Sequence, residues 1–322
     1  STNDTYPTAL KVAIIWRLRE LTQSVCDLQN LFQEKEKEFA NIIKIGRTQM
    51  QDALPITLGI IFGTYAESVS RDRWRLYKAE ERLRVVNLGG TAIGTGLNAP
   101  RKYVFEALNH LRAQSQVGVA KAENLIDATA NQDLFLEAFG WIKLLAVNLY
   151  KISQDLRYLS STPVGEVILP DRQAGSSIMP GKVNPVILEM LIQTCFEIIE
   201  RDRLLTDAVM SGNHELNPFM PLIAKHFLNS LNELNQAIHL FMEHTLKNIK
   251  SNEEKCYENL LKSSSVLTAL NPKLGYEKVA EIVKESVHQG KSIYDILQDK
   301  KLLSENEMND LLNLSKMVKH QE

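Results

Sequence analysis

The sequence is poor in the features that mark membrane, secreted, metal-binding or nucleic-acid-binding chains. Its three cysteines, Cys26, Cys195 and Cys256, are far apart and form no CxxC pair. That excludes a disulfide framework and reads as buried thiols in a reducing compartment, so the expected location is cytoplasmic. Long apolar runs are missing too. The most apolar passage, "LFLEAFGWIKLLAVNLY", is cut by Glu137 and Lys143 and makes no membrane span. The opening "STNDTYPT" lacks the charged-then-apolar order of a signal peptide. With 37 basic and 39 acidic residues the net charge is −2, which gives no reason to expect nucleic acid or a membrane surface as partner. The seven histidines offer no HExxH and no paired spacing, so no metal is expected. "GTGLNA", Gly94–Ala99, fits a loose dinucleotide pattern, but a long helix and no strand is expected before it, so no cofactor is expected.

What the chain does have is helical periodicity over long distances. From Thr8 to Ile45 there is no glycine or proline, and Leu10, Ile14, Leu18, Leu21, Val25, Leu28 and Phe32 recur at helical spacing. This predicts one helix of about 38 residues, roughly 57 Å long. A second helix is expected from Pro55 to the stop signal Gly89-Gly90, and others over 132–159, 185–211 and 216–248. Period-2 alternation is nearly absent, so the fold class is all-α, a bundle of long helices. The apolar stripes around Val12–Trp16 and Leu144–Val147 nearly encircle their helices, which implies cover from other subunits. Beyond "KSSSVLTALNP" the helices become shorter and more charged. The expected division is a helical-bundle domain over 1–265 and a small C-terminal helical domain over 266–322.

Three polar stretches interrupt this pattern. In "GSSIMPGKVNP", Gly175–Pro185, Pro180 and Gly181 forbid a regular helix and put Ser176 and Ser177 on a loop. The next helix begins at Asn184-Pro185, and its start, with Lys182 beside it, suits an anion. "GRTQMQDALP" carries Thr48 and Gln49 between two long helices, and "STND" sets Ser1, Thr2 and Asn3 ahead of the first. Each is also compatible with a plain cap or turn. A continuous first helix would hold Asn3 and Thr48 at opposite ends of its rod. They then share a small-molecule site only if that site is assembled from different subunits.

At this point the residues resemble a known family. "GSSIMPGKVNP" is similar to the signature of the aspartase/fumarase superfamily. "STNDTYPTA", "GRTQMQDALPITLG", "GGTAIGTGLN", "ELNPFMPLIA" and "LNPKLGY" resemble blocks of the same family in the same order. The resemblance implies a homotetramer of long helices whose active sites combine loops from three subunits. It implies that Ser176 is the base on a loop that closes over the substrate, with Ser177 beside it. Lys182, Asn184 and Thr48 match residues that bind a substrate carboxylate. Ser1, Thr2 and Asn3 match the block that contacts the other carboxylate and the leaving group. Glu189 matches the acidic partner of the position held here by Gln49.

The implied reaction is anti elimination from a small 1,2-dicarboxylate to give fumarate, without metal or organic cofactor. Where fumarases usually read "GRTH", this chain reads "GRTQ". Glutamine cannot deliver a proton to departing hydroxide, whereas an ammonium leaves as neutral ammonia without one. The expected reaction is therefore loss of ammonia from L-aspartate, with hydration of fumarate as the alternative. Relatives that act on adenylosuccinate or argininosuccinate would need nucleotide or guanidinium recognition, for which no block is present. A reading from another class is a non-catalytic oligomerisation domain of a larger fused protein. Chains of this family carry a further N-terminal domain before the block matching "STND", which adds a hydroxyl to the leaving-group pocket. Poor activity is expected of these 322 residues alone.

Overall fold

The structure, a computed structural model, describes residues 1–263, 267–268, 270–289, 293–300, 302–303 and 307. It is dominated by helices, as the periodicity predicts, with three small two-stranded sheets. The chain divides into two compact units. Unit 1 takes residues 1–32, 65–157 and 170–248, and unit 2 takes 33–64, 158–169 and 249–322.

The first helix, α1, runs Thr2–Glu38, so it begins and ends about seven residues earlier than the periodicity suggests. Residues expected to extend it form instead a β-hairpin, β1 (Ile43–Thr48) and β2 (Gln51–Thr57). Helix α2 is Leu58–Leu83, and Pro55, expected in its first turn, lies in β2 opposite Ile45. Beyond α2 come β3 (Val85–Val86), α3 (Arg101–Ser115), β4 (Ala120–Lys121), α4 (Leu125–Ala130) and α5 (Asp133–Leu159). Strand β3 pairs with β4 in parallel, so a short strand does precede "GTGLNA", but a loop and not a helix start follows it. Then follow β5 (Val167–Ile168), α6 (Val186–Met210) and α7 (Met220–His244). The last two match their expected spans closely, α7 being shorter at both ends. The chain continues through β6 (Lys250–Ser251), α8 (Glu253–Lys262), α9 (Asn271–Leu274), α10 (Tyr276–Gln289) and α11 (Ile293–Asp299).

In unit 1 the helical spacing buries one continuous apolar face per helix. Ile14, Leu18, Leu21, Val25 and Leu28 of α1 are sealed from solvent, as are Phe139, Ile142, Leu145 and Leu149 of α5. Phe227 of α7 packs edge-on to Phe139 at 5.3 Å and Phe135 at 6.4 Å between ring centroids. Phe32 meets Tyr65 at 5.7 Å and Phe241 at 6.2 Å. The wide stripes are only partly covered: Trp16, Leu144 and Val147 remain exposed. Cys195 is buried and Cys26 half-buried, both as free thiols, and burial pushes Cys195 up to about 12.

Unit 2 contains the hairpin, the antiparallel β5–β6 pair and α8, which packs against β1. Helix α8 starts on Asn252, whose side chain accepts from the Lys255 N–H. Farther along, Leu267, Leu270, Val279, Ile282, Ile296, Leu297 and Leu303 form a cluster of their own. The expected domain boundary at 265/266, and most of 304–322, lie outside the described residues.

Phe227 is the ring that joins α5 to α7, so removing it should leave a hole that the sealed helices cannot close. Phe227→Ala is expected to cost about 3–5 kcal/mol in denaturant unfolding. A loss below roughly 1 kcal/mol would show that α5 and α7 do not depend on it.

Candidate active site

Residues 169–185 have no helix or strand, as the Pro-Gly content of "GSSIMPGKVNP" implies, yet the segment is not shapeless. Its neck is tied by the Gly175 N–H donating to the Lys182 carbonyl at 2.8 Å and the Asn184 amide donating to the Gly175 carbonyl at 3.3 Å. Only glycine fits there, because a Cβ at 175 would stand 2.4 Å from that same Lys182 oxygen. At the tip, Met179-Pro180-Gly181-Lys182 forms a turn in which Gly181 has φ 77° and the Lys182 N–H meets the Met179 carbonyl at 3.4 Å.

Within this loop the Ser176 Oγ accepts two backbone N–H groups, from Ile178 at 3.1 Å and Met179 at 3.0 Å. Donors aimed at a hydroxyl oxygen stabilise its alkoxide more than its neutral form, since those bonds become charge-assisted. The geometry therefore suits the Ser176 oxygen to carry negative charge. Ser177 and Lys182 are exposed on the same loop. Helix α6 begins at Val186, directly after it, and Glu189 stands in its first turn. Glu189 is paired with Arg157 of α5, 3.3 Å away, a partner that no sequence pattern announced.

At the other end of unit 1's sequence, Ser1, Thr2 and Asn3 open α1. Pro7 lies inside this helix and has no N–H for the Asn3 carbonyl four residues back. The buried Asn87 supplies it: its amide donates to the Asn3 carbonyl at 3.0 Å and to the Thr129 hydroxyl at 2.9 Å. The Asn3 side chain in turn donates to the Ala92 carbonyl at 2.8 Å. One carboxylate oxygen of buried Asp4 accepts the N–H groups of Gly89 and Thr91, both at 3.0 Å. The "GGTAIGTG" loop is thus clamped to the helix start. A cleft of about 220 Å³ beside Thr2 and Asn3 is lined also by Tyr6, Thr129, Gln132 and Asn217. Its polar lining is hydroxyl and amide, suited to hydrogen bonds and not to ion pairing.

Thr48 and Gln49 belong to unit 2, at the tip of the β1–β2 hairpin, and both are exposed. They do not sit in an interhelix turn as expected. Thr48 pairs with Gln51 across a two-residue connection in which Gln49 and Met50 have φ of 53° and 64°. Both central residues being left-handed is the pattern of a tight hairpin turn, made here without glycine. Behind the tip lies buried Glu166. Arg47 grips it with two bonds of 3.0 and 2.8 Å, Lys44 pairs with it at 2.9 Å, and the Asn259 amide donates at 3.0 Å. Burial pushes the Glu166 carboxyl up, but the Arg47 and Lys44 contacts outweigh this and hold it below its ordinary value. Burial lowers Lys44 despite the same pairing.

The ten expected site residues thus fall into three clusters. The loop gathers Ser176, Ser177, Lys182 and Asn184, with Glu189 one turn into α6. The start of α1 gathers Ser1, Thr2 and Asn3. The hairpin carries Thr48 and Gln49. Asp4, Asn87, Arg157 and Glu166 were not among the expected site residues; of these only Asp4, inside the "STND" block ahead of the first expected helix, left a signal. Among the described residues no cluster of three or more His, Cys, Asp or Glu could hold a metal ion, and no helix is long and apolar enough to cross a membrane.

A folded-state carboxyl held below its unfolded value stabilises fully above that value, about 4.5, and the gain is lost as pH falls through the lower folded one. Urea midpoints should therefore decline below about pH 4.5, with a slope shallower by about one proton in Glu166→Gln. Equal acid limbs in both proteins would show that Glu166 does not carry this dependence.

Comparisons with known proteins identify the family. A family model described as "Lyase" matches residues 1–200, and one described as "Fumarase C C-terminus" matches 266–319. The chain is 43% identical over 323 residues to an aspartate ammonia-lyase of Helicobacter pylori, covering 99% of this chain and 69% of that one. A fumarate lyase:delta crystallin from Brucella melitensis, solved bound to cobalt, superposes with a TM-score of 0.95 at 40% identity, covering 99% of this chain and 70% of that one. A class II fumarase from Schistosoma mansoni gives 0.94 at 30% identity, over 98% and 70%. Matches this extensive settle the kinship that the motifs suggested: the chain belongs to the aspartase/fumarase superfamily of lyases.

Proposed function

We propose that this chain is an aspartate ammonia-lyase, which eliminates ammonia from L-aspartate to give fumarate. The observation that carries the chemistry is the Ser176 hydroxyl, held by the N–H groups of Ile178 and Met179 on a loop that leads into the start of α6. In this reading Ser176 removes the proton from the carbon beside the substrate's side-chain carboxylate. The electrons move onto that carboxylate as an enediolate, and the double bond then forms as the C–N bond breaks and ammonia leaves from the opposite face. Lys182, Asn184 and Thr48 bind the carboxylate where this charge develops, and the Lys182 cation, whose attraction grows with that charge, stabilises the transition state more than the substrate. Ser177 lends a second hydroxyl from the loop. Ser1, Thr2 and Asn3 contact the other carboxylate and the departing ammonia, in the neutral cleft beside α1. Glu189, kept near Arg157, supports Gln49, an amide that accepts a hydrogen bond from ammonium but transfers no proton.

The site as proposed needs more than one copy of the chain. Helix α1 keeps Asn3 and Glu38 roughly 53 Å apart. The ten residues from there to Thr48 can recover at most about 36 Å. A small dicarboxylate cannot bridge the remainder, so a homotetramer with shared sites is the assembly that fits. Exposed Trp16, Leu144 and Val147 give it apolar surface to bury. We also propose a cytoplasmic location, from three unpaired thiols, and residues 266–322 as a small C-terminal domain, from their separate apolar cluster.

The likeness to a class II fumarase keeps hydration of fumarate as the second reading. Gln49 favours ammonia, and a substrate pair decides. With the full-length protein, fumarate should form faster from L-aspartate than from L-malate; the reverse order would move the assignment to a hydratase. Ser176→Ala should lower turnover by at least about 100-fold with an unchanged melting temperature. Retention of more than roughly a tenth of the rate would remove Ser176 as the base.

A further inference from the structure

The buried cluster behind the hairpin has no part in the chemistry just described, yet its geometry bears on it. In a regular strand residues 44 and 47 point to opposite faces, because side chains alternate. Here both reach one carboxylate: the Lys44 ammonium at 2.9 Å, and the Arg47 guanidinium in a two-bond fork at 3.0 and 2.8 Å. The register of the pair shifts here between Ile45 and Arg47: two steps along β1 face three along β2, from Pro55 to Asp52, so the bulge lies in β2 and raises the local twist of the hairpin. Gly46 lies opposite the bulge, where a Cβ would stand 2.7 Å from the Leu54 carbonyl oxygen, so the strands approach too closely for another residue.

Glu166 is well placed to hold β1 at that point. Its side chain is fully sealed, and that of Lys44 is 2% exposed. Its backbone is tied on both sides, the N–H to the Leu159 carbonyl at 2.8 Å and the carbonyl to the Asn252 N–H at 3.0 Å. The Asn259 amide fixes the carboxylate from α8. By contrast, the hairpin tip has little of its own to fix register. Its turn is Gln49-Met50, without the Asn or Gly that favour left-handed backbone. A one-residue slip would carry Arg47 off Glu166 and turn Thr48 to the other face.

We propose that Glu166 is a positioning residue, which through Lys44 and Arg47 anchors β1 opposite the bulge of β2 and thereby sets the face on which Thr48 and Gln49 meet the substrate. This rests on the reading of Thr48 as a carboxylate-binding residue. Loss of the anchor misplaces a binding contact without removing the base, so its effect falls on KM.

The test is a double-mutant cycle on the full-length protein, with Glu166→Gln, Thr48→Ala and the pair, following fumarate from L-aspartate. Glu166→Gln should raise KM by about 10-fold or more and change kcat by less than about 3-fold. In the Thr48→Ala background the same substitution should add less than about 2-fold, because the contact it misplaces is already gone. Arg47→Lys keeps the charge but loses the fork, and should show the same pattern in a folded protein if Glu166→Gln does not fold. Losses that multiply, or a variant with unchanged KM and merely less active protein, overturn the positioning role while leaving Thr48 in the site. A Thr48→Ala protein as active as wild type overturns the reading of Thr48 itself, and this proposal with it.

Discussion

A helix of 37 residues is a rod roughly 55 Å long, and its first turn cannot share a small ligand with its last. Much of the account follows from that constraint. The residues that resemble a substrate-binding block lie at both ends: Asn3 in the first turn, and Thr48 on the hairpin that follows the last. A single α1 does not fold back, because it is one continuous helix from Thr2 to Glu38. Joining the two ends in one site takes a second copy of the chain, and apolar side chains left exposed on α1 and α5 give such a copy something to cover.

At each cluster the backbone is held by partners that the regular elements cannot provide. Pro7 deprives the Asn3 carbonyl of its helical donor, and Asn87 replaces it. The turn at Gly89 and Thr91 has free N–H groups, and Asp4 receives them. The loop at Ser176 has two more, and they converge on the hydroxyl itself. Behind the hairpin two cations that burial would otherwise penalise converge on Glu166. These are short, local contacts, and each fixes a group to which the proposed mechanism gives a part. Preorganised polar groups of this kind cost little rearrangement when charge develops, which is why they suit an elimination through an enediolate.

The helical class and the loop were legible in the sequence; the hairpin was not. Long stretches with apolar residues three and four apart identify α1, α5, α6 and α7, because period 3.6 over 25 or more residues has no competing explanation. Ile42 and Ile43 prolonged that pattern past Glu38, where the helix in fact stops, and so hid the start of β1. Pro55 reads as a helix opener, yet the strand accommodates it opposite Ile45. The serine loop was recognisable because Pro180 and Gly181 permit nothing regular. Arg157 and Glu166 were invisible for a different reason: a lone charge carries no period, and only the fold shows whom it meets.

The central claim is that residues at the two ends of α1 serve one site through different copies of the chain. Subunit complementation tests it most directly. Asn3→Ala and Thr48→Ala proteins, assayed at aspartate well below KM where both turn over slowly, are unfolded together and reassembled. If the site is shared, random mixing leaves about a quarter of sites with both residues intact, and ammonia release from L-aspartate returns to that level. Activity no greater than the mean of the two parents would contradict it.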